Sequence, residues 1–435
     1  MPRVMDRPAA VIDRPLQSDV NYSRALLLVL LLALSARLVL VSSLASILSL
    51  ETSGYDSYAA NIIDGNGYTR FDDRTGDSDL PPMYPLFLVA VYQLIGRGVA
   101  QVEVVQALLE CVTIATIFLI GRKIVDAGTG LIAAALVAFY PYTFFQSLTV
   151  NDTTLFTLFL AVAIWLCYRA ASLDSRFSGA ATGAALGFAA LTKPWASLIV
   201  PILMLWWLHA MGPRPASRLV VLAIVGWLVV VTPWIARNTQ LHGRPAFIST
   251  NDGSNLYQGN NPCVVDYLQH GWDAQWVDCL TTPPSGLDEL ALNQWYRREA
   301  LTYLGSHPGD WAELFGVKLA VLWSPILMPS GLPPGVTSIG DPVRLYYTPI
   351  FNLGRWLYTA TFTPLLVLGI IGLWLSIRRG LAIGPLLTVL ATNTVTYVVF
   401  HPSTRYRSPA DPFLLVLAAI PLAALWTRWR RRLCG

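Results

Sequence analysis

Charge is scarce in this sequence. Asp, Glu, Lys and Arg make up 13% of its 435 residues, against about 25% in a soluble globular chain. Hydrophobic residues reach 54%, more than one aqueous core can hide, so a bilayer is the natural solvent for the excess. The formal net charge is only +4, and no basic stripe interleaved with aromatics occurs, so no nucleic-acid partner is expected. The five cysteines include no CxxC pair. An HExxH helix, a P-loop and a dinucleotide fingerprint are all missing. The histidines outside the apolar runs, His242, His270, His307 and His401, are scattered, and no metal-ligand set is assigned. No repeat of 20–50 residues is evident.

Long apolar runs are what the chain has instead. Ten segments make good spans: 25–48, 101–121, 127–143, 152–170, 177–192, 195–210, 218–236, 355–377, 382–400 and 409–427. Two further stretches, 82–96 and 312–329, are short or proline-broken and suit the interface better than the bilayer core. The expected fold is an all-α polytopic membrane protein with about 10–13 transmembrane helices and a mixed extracytoplasmic loop region. The first run lacks a persuasive cleavage site and reads as a retained helix.

Orientation follows from the basic clusters. With Arg3, Arg7, Arg14 and Arg24 inside, the pairs Arg122 and Lys123, Arg169 and Arg176, Arg214 and Arg218, and Arg378 and Arg379 also fall inside, as does the tail with Arg428, Arg430, Arg431 and Arg432. Four regions result: a cytoplasmic N-terminus at 1–24, a transmembrane module at 25–236 carrying an external loop at 50–101, an extracytoplasmic region at 237–354, and C-terminal helices with a basic tail at 355–435. The first loop is acidic, with Glu51, Asp56, Asp64, Asp72, Asp73, Asp77 and Asp79 against Arg70 and Arg74. The second holds an amphipathic helix expected at 287–304. It also holds Cys263 and Cys279, a disulfide candidate outside the reducing cytoplasm. Gly179, Gly183 and Gly187 recur every four residues in one span, the pattern of close helix packing.

The residues that could carry chemistry gather outside. Asp56 follows the first span; it is either the cap of a short helix at 57–64 or a base facing a watery cavity. The run PPMYP at 81–85 opens the interfacial helix and places Tyr84 near the bilayer boundary. Asp152 begins a span, where a carboxylate is favoured by the helix dipole in any case. Lys193, Arg237 and Arg405 are cations at outer span ends, against the positive-inside trend. Snorkelling accounts for any one of them; three beside a group of carboxylates fit an anion site, most simply a phosphate. Arg37, inside the first span, is left without a place.

Taken in order, these motifs resemble the polytopic GT-C glycosyltransferases, especially bacterial relatives of the dolichyl-phosphate-mannose protein mannosyltransferases and the lipid A aminoarabinose transferases. The resemblance is carried by DSY at 56–58, PPMYP at 81–85, LTKP at 191–194, PWIARN at 233–238, NLYQGNNP at 255–262 and RYR at 405–407, nearly the whole chain. It implies a polyprenyl-phosphate sugar as donor and inverting transfer to a hydroxyl of a lipid, polysaccharide or protein. The cell membrane is the implied location, with the active site on its extracytoplasmic face. It implies Asp56 as base and Asp152 as the second acidic position. Arg237 and Arg405 would hold the donor phosphate, with Lys193 assisting, and Tyr58, Tyr84, Asn255 and Tyr406 would line the substrate site. Whether a divalent metal takes part stays open. The chain departs from both subfamilies: Tyr55 precedes Asp56 where mannosyltransferases often pair two acids, and Leu80 stands where aminoarabinose transferases tend to have lysine. Neither substrate is assigned. The rival readings are a transporter or flippase of a lipid-linked or anionic substrate, which would show ionisable residues at mid-bilayer and broken helices, and a non-catalytic scaffold with a ligand-binding outer loop.

Overall fold

The computed structural model describes residues 16–44, 50, 54–71, 76–331, 333–334 and 349–433. Arg3, Arg7, Arg14, Glu51, Asp72, Asp73 and Arg74 lie outside the described residues, as do the side chains of Arg430, Arg431 and Arg432. All described secondary structure is helical. Among the described residues seven helices are long and apolar enough to cross a membrane: α1 (Leu16–Leu44), α4 (Val99–Ile124), α7 (Thr153–Leu173), α9 (Ile199–Met211) with the turn before it, α10 (Pro213–His242), α15 (Pro349–Arg379) and α18 (Asp411–Leu433). The chain is a multi-pass membrane protein.

Three of the ten expected spans come out shorter. They are α5 (Ala127–Phe139), α8 (Arg176–Thr192) and α16 (Gly384–Val399), with 13, 17 and 16 residues. At 1.5 Å per residue they fall below the roughly 30 Å of a hydrocarbon core. The run at 127–143 was expected to continue through Pro141; instead the chain breaks at Tyr140 and restarts as α6 (Pro141–Gln146), because proline suits a helix start better than an interior. The stretch 82–96 forms the short α3 (Met83–Ile95), and 312–329 yields only α14 (Trp311–Leu322). The amphipathic helix of the second loop is α13 (Glu289–Ser306).

Local sequence explains the tight corners. Asp126 caps α5 by accepting from the Thr129 amide, Ser175 caps α8 through Ser178, and Asp288 caps α13 through Ala291. The glycine row of α8 lies against α10: a Cβ at Gly183 would meet the Ala223 carbonyl oxygen at 1.9 Å, and one at Gly226 would meet that of Ala180 at 2.1 Å. The two backbones approach as only glycine allows. Most deeply placed of the seven crossing helices is α7, with 78% of its apolar stretch buried; Phe156, Leu160, Ile164 and Cys167 on it join the main core. Arg37 finds its place at the corner between α5 and α6. It donates to Ser147 Oγ at 2.9 Å and to the Ala138 carbonyl at 3.1 Å, with the Phe144 ring 4.5 Å away. It is a strut pinning α1 to that corner.

A second small core, built from Tyr55, Ala59, Tyr84, Leu88, Val102 and Leu155, seats α2 (Tyr55–Ile63) and α3 on the starts of α4 and α7. The long loop docks elsewhere. Its α11 (Asp252–Gly259) ends where a Cβ on Gly259 would lie 2.0 Å from the Phe400 carbonyl oxygen. Asn260 donates to the Val399 carbonyl at 2.9 Å, and Lys318 donates to Asn260 Oδ1 at 2.8 Å. The Gly/Asn run therefore seats the loop on the end of α16. Cys263 and Cys279 are disulfide-bonded, with Cα atoms 6.3 Å apart.

Candidate active site

Asp152 stands immediately before α7 and Lys193 immediately after α8, at the same end of the bundle. Lys193 Nζ donates to Asp152 Oδ2 at 2.6 Å, and the Tyr55 hydroxyl donates to the same oxygen at 3.0 Å. The pair is buried: the side chains are 12% and 4% exposed. Asp152 does not cap α7, since its carboxylate accepts no amide of the first turn. Burial works against the charged carboxylate, but the Lys193 ammonium and the Arg405 guanidinium outweigh it and hold Asp152 below the usual carboxylate range. Its Oδ1 is buried with no hydrogen-bond partner.

Arg405 reaches this cluster from α17 (Thr404–Arg407), a single turn capped by Ser403. Burial disfavours its charge, yet the surrounding Tyr406, Asp152 and Tyr55 raise its pKa overall. Among the described residues its guanidinium makes no hydrogen bond or ion pair, and its Nε is buried without a partner. Arg407, two residues on, is its opposite. It is locked to Asp411 at 2.8 Å, to the Leu322 carbonyl at 3.0 Å and to the Tyr358 hydroxyl at 2.9 Å, with the Phe362 ring 3.8 Å away.

Aromatic rings wall the cluster. Tyr406 stacks on Tyr397 at 4.7 Å, Trp195 donates to the Tyr397 hydroxyl at 3.1 Å, and Gln275 from the long loop donates to the Tyr406 hydroxyl at 2.5 Å. His401 lies edge-on to Tyr406 and bonds through Nε2 to Asn255 Oδ1 at 3.2 Å. Burial first, then Lys318 and Arg405, push its pKa down to about 3, so it is a neutral donor. Asn255 thus acts on the site through His401. Tyr84 is fully buried; its ring meets Tyr55 at 4.9 Å and its hydroxyl donates to Gln106 at 2.8 Å.

Asp56 does not cap α2. Gly54, at φ 84°, occupies that position in a conformation favouring glycine. The Asp56 carboxylate instead accepts from the Tyr92 hydroxyl at 2.7 Å and from Arg97 at 3.1 and 2.5 Å. Arg97 is 53% exposed and sits between Gly96 and Gly98 in the turn from α3 to α4. Tyr55 and Asp56 thus point one to the Asp152 cluster and the other to Arg97.

Arg237 and Tyr58 belong to a third group. Tyr58 donates to Asp77, and Arg237 donates to the backbone carbonyls of Asp77 and Tyr68 at 2.5 and 3.1 Å and to Asn238 at 2.9 Å. The rings of Trp234 and Tyr68 cover its guanidinium. Its donors are spent on holding the first loop. Beside it, Ser78 bonds both His242 at 2.6 Å and Glu289 at 3.0 Å. Glu289 bonds the serine and not the far nitrogen of the imidazole, so this ties the first loop to the ends of α10 and α13 and is not a hydrolytic triad. Asp79 is raised to about 6 by burial, then by Asp77 and Glu289. Among the described residues no group of three or more His, Cys, Asp or Glu is arranged to hold a metal ion.

The structure therefore brings Asp152, Lys193, Arg405, Tyr406, Asn255 and Tyr84 to one place, and sets Asp56 beside it on Arg97. It takes Arg237 and Tyr58 away. Sequence reasoning missed Tyr55, Arg97, Tyr397 and Gln275; only Arg97, a cation flanked by glycines next to an interfacial helix, carried a signal.

Residues 79–236 match the family described as dolichyl-phosphate-mannose-protein mannosyltransferase. No curated protein matches the chain in sequence. Among solved structures, the archaeal oligosaccharyltransferase AglB from Archaeoglobus fulgidus, in complex with an inhibitory peptide and a dolichol-phosphate, is similar in fold. The TM-score is 0.54 and the identity 12%, over 96% of this chain and 52% of that one. The apo form of the Archaeoglobus fulgidus oligosaccharyltransferase gives 0.51 and 14%, over 90% and 50%. This chain spans about half the length of those proteins. ArnT from Cupriavidus metallidurans bound to undecaprenyl phosphate aligns at a TM-score of 0.44 with 16% identity, over 93% of this chain and 77% of that one. The GT-C resemblance read from the sequence is borne out by the family match and the fold.

Proposed function

We propose that this protein is a membrane glycosyltransferase that moves a sugar from a polyprenyl-phosphate carrier to a hydroxyl acceptor on the extracytoplasmic face. The observation that carries the reading is Arg405: a guanidinium with unspent donors, turned toward the buried Lys193–Asp152 pair. Such a cation fits a phosphate. The oligosaccharyltransferase of similar fold was solved with a dolichol-phosphate, which supports a lipid-linked phosphate as the ligand here.

In the reaction, Asp56 takes the proton from the acceptor hydroxyl as its oxygen attacks the anomeric carbon from the side opposite the phosphate. The new C–O bond forms, the bond from carbon to phosphate oxygen breaks, and the electron pair leaves on the polyprenyl phosphate with inversion. Arg405 and Lys193 stabilise the growing phosphate charge, an effect strengthened where water is excluded. Asp152 orients Lys193. Arg97 occupies the carboxylate oxygens of Asp56, so it must leave before the acceptor hydroxyl can reach them. Its exposure and its two flanking glycines permit that movement.

One observation favours a transporter: α4 buries Glu103 and Glu110, the second of them beside Arg37. Ionisable groups inside a span are the expected signature of a transport path. The test is transfer of label from a panel of radiolabelled polyprenyl-phosphate sugars to a membrane extract, with Asp56→Asn at equal expression. Loss of about 10²- to 10⁴-fold in the variant is expected for a base. Full activity in the variant would remove Asp56 from that role. Movement of a labelled lipid across vesicles without any transfer would replace the enzyme with the transporter.

A further inference from the structure

The far end of the bundle holds a second group of cations. α7 starts just after Asp152, and its 21 residues, at 1.5 Å each, carry the chain about 30 Å away. There the last turns of α4 and α7 enclose a recess of about 190 Å³ lined by Lys123, Trp165, Arg169, Ser172 and Leu173. Arg169 lies 5.6 Å over the Trp165 indole. Neither Lys123 nor Arg169 forms an ion pair or a side-chain hydrogen bond among the described residues. The Ser172 hydroxyl already donates to the Tyr168 carbonyl at 2.5 Å, so the donors left to face a ligand are the two cations.

We propose that this recess binds the phosphate of an anionic phospholipid headgroup at the membrane surface opposite the catalytic cluster. Both cations sit at helix C-terminal ends, where the dipole favours them without a ligand. Snorkelling would also hold them near the headgroups. Neither effect accounts for two cations from different helices lining one concavity. That concavity has the size for a phosphate and its ester oxygens, and Arg169, with its fork of donors, suits them. Trp165 and the exposed Leu173 give the site an apolar rim, which suits the glycerol and first methylenes of a lipid better than a free ion. Basic pockets between spanning helices on this side of a membrane bind such headgroups by the same chemistry. The proposal does not depend on the transfer reaction.

The test uses the full chain in phosphatidylcholine vesicles containing increasing brominated phosphatidylglycerol. Quenching of Trp165 is read as the difference between the protein and its Trp165→Phe variant. Half-saturation is expected at a lipid fraction at least about tenfold lower for the protein than for Lys123→Gln/Arg169→Gln, two cations at about 1 kcal/mol each giving up to roughly thirtyfold. The charge-keeping Lys123→Arg/Arg169→Lys variant should return most of that difference, which a folding defect would not. Quenching that is equal in the protein and the Gln variant overturns the proposal. Full displacement of the lipid by millimolar inorganic phosphate overturns the lipid assignment and leaves a free-phosphate site.

Discussion

Two regions at the same end of this molecule are rich in cations and carboxylates, and they differ in whether the cations are spent. In the first, Lys193 neutralises Asp152 while Arg405 keeps its donors unpaired. In the second, Arg237 donates to two backbone carbonyls and a side-chain amide, under two aromatic rings. From sequence the two arginines looked alike. A buried cation whose hydrogen bonds are complete holds structure, and one with donors to spare is available to a ligand. The contrast recurs within one turn of helix, where Arg407 is locked and Arg405 is not.

The sharpest way to break this comparison is to remove the spent partner of the first region. Lys193→Met leaves Asp152 buried without its cation, which should cost about 3–5 kcal/mol as well as activity; denaturant unfolding in detergent micelles reads the loss. If stability is untouched, the Asp152–Lys193 pair is not the buried anchor described. Next comes Arg405→Ala. With no hydrogen-bonded or ion-paired partner among the described residues to orphan, it should fold nearly as the wild type does, Lys193 still neutralising Asp152, yet lose about 10²- to 10³-fold in transfer rate, which steady-state kinetics with saturating acceptor would show.

Arg237→Gln should do the reverse, costing about 1–3 kcal/mol in stability through carbonyls left without donors while the donor KM stays near the wild-type value. A large rise in donor KM would put Arg237 back in the phosphate site. Asp79 should act in the opposite direction. Its carboxyl is raised from 3.8 to about 6 in the folded protein, so the folded state holds a proton the unfolded chain releases. Stability from that proton is present below pH 4 and lost as pH rises through 6. Asp79→Asn should therefore raise the unfolding free energy at pH 7.5, by at most about 3 kcal/mol at about 1.4 kcal/mol per pH unit. The gain should vanish near pH 4.

Composition and hydrophobic runs made the membrane fold legible, and the glycine row at 179, 183 and 187 made one helix contact legible, because both follow from local pattern. The ordered motifs pointed to Asp152, Lys193 and Arg405, which converge although they lie 41 and 212 residues apart along the chain. Partnership was not legible. Whether Asp56 caps its own helix or meets Arg97, and whether Arg237 faces a ligand or a carbonyl, depends on how a loop folds back, and no local pattern encodes that. The Gly/Asn run at 255–262 was visible as a turn-former, but its use, letting the loop backbone touch the end of α16, needs the partner to be seen. Helix ends were misread where a proline at 141 restarts a helix inside an apolar run.

The close meeting of α8 and α10 gears the two regions together. With Gly183 against Ala223 and Gly226 against Ala180, the helices mesh like teeth cut to fine tolerance, and neither can slip past the other without a backbone collision. Lys193 ends one of them and Arg237 lies near the end of the other. A shift of the first-loop clamp therefore bears on the lysine paired with Asp152, and the two regions are set to travel as one part.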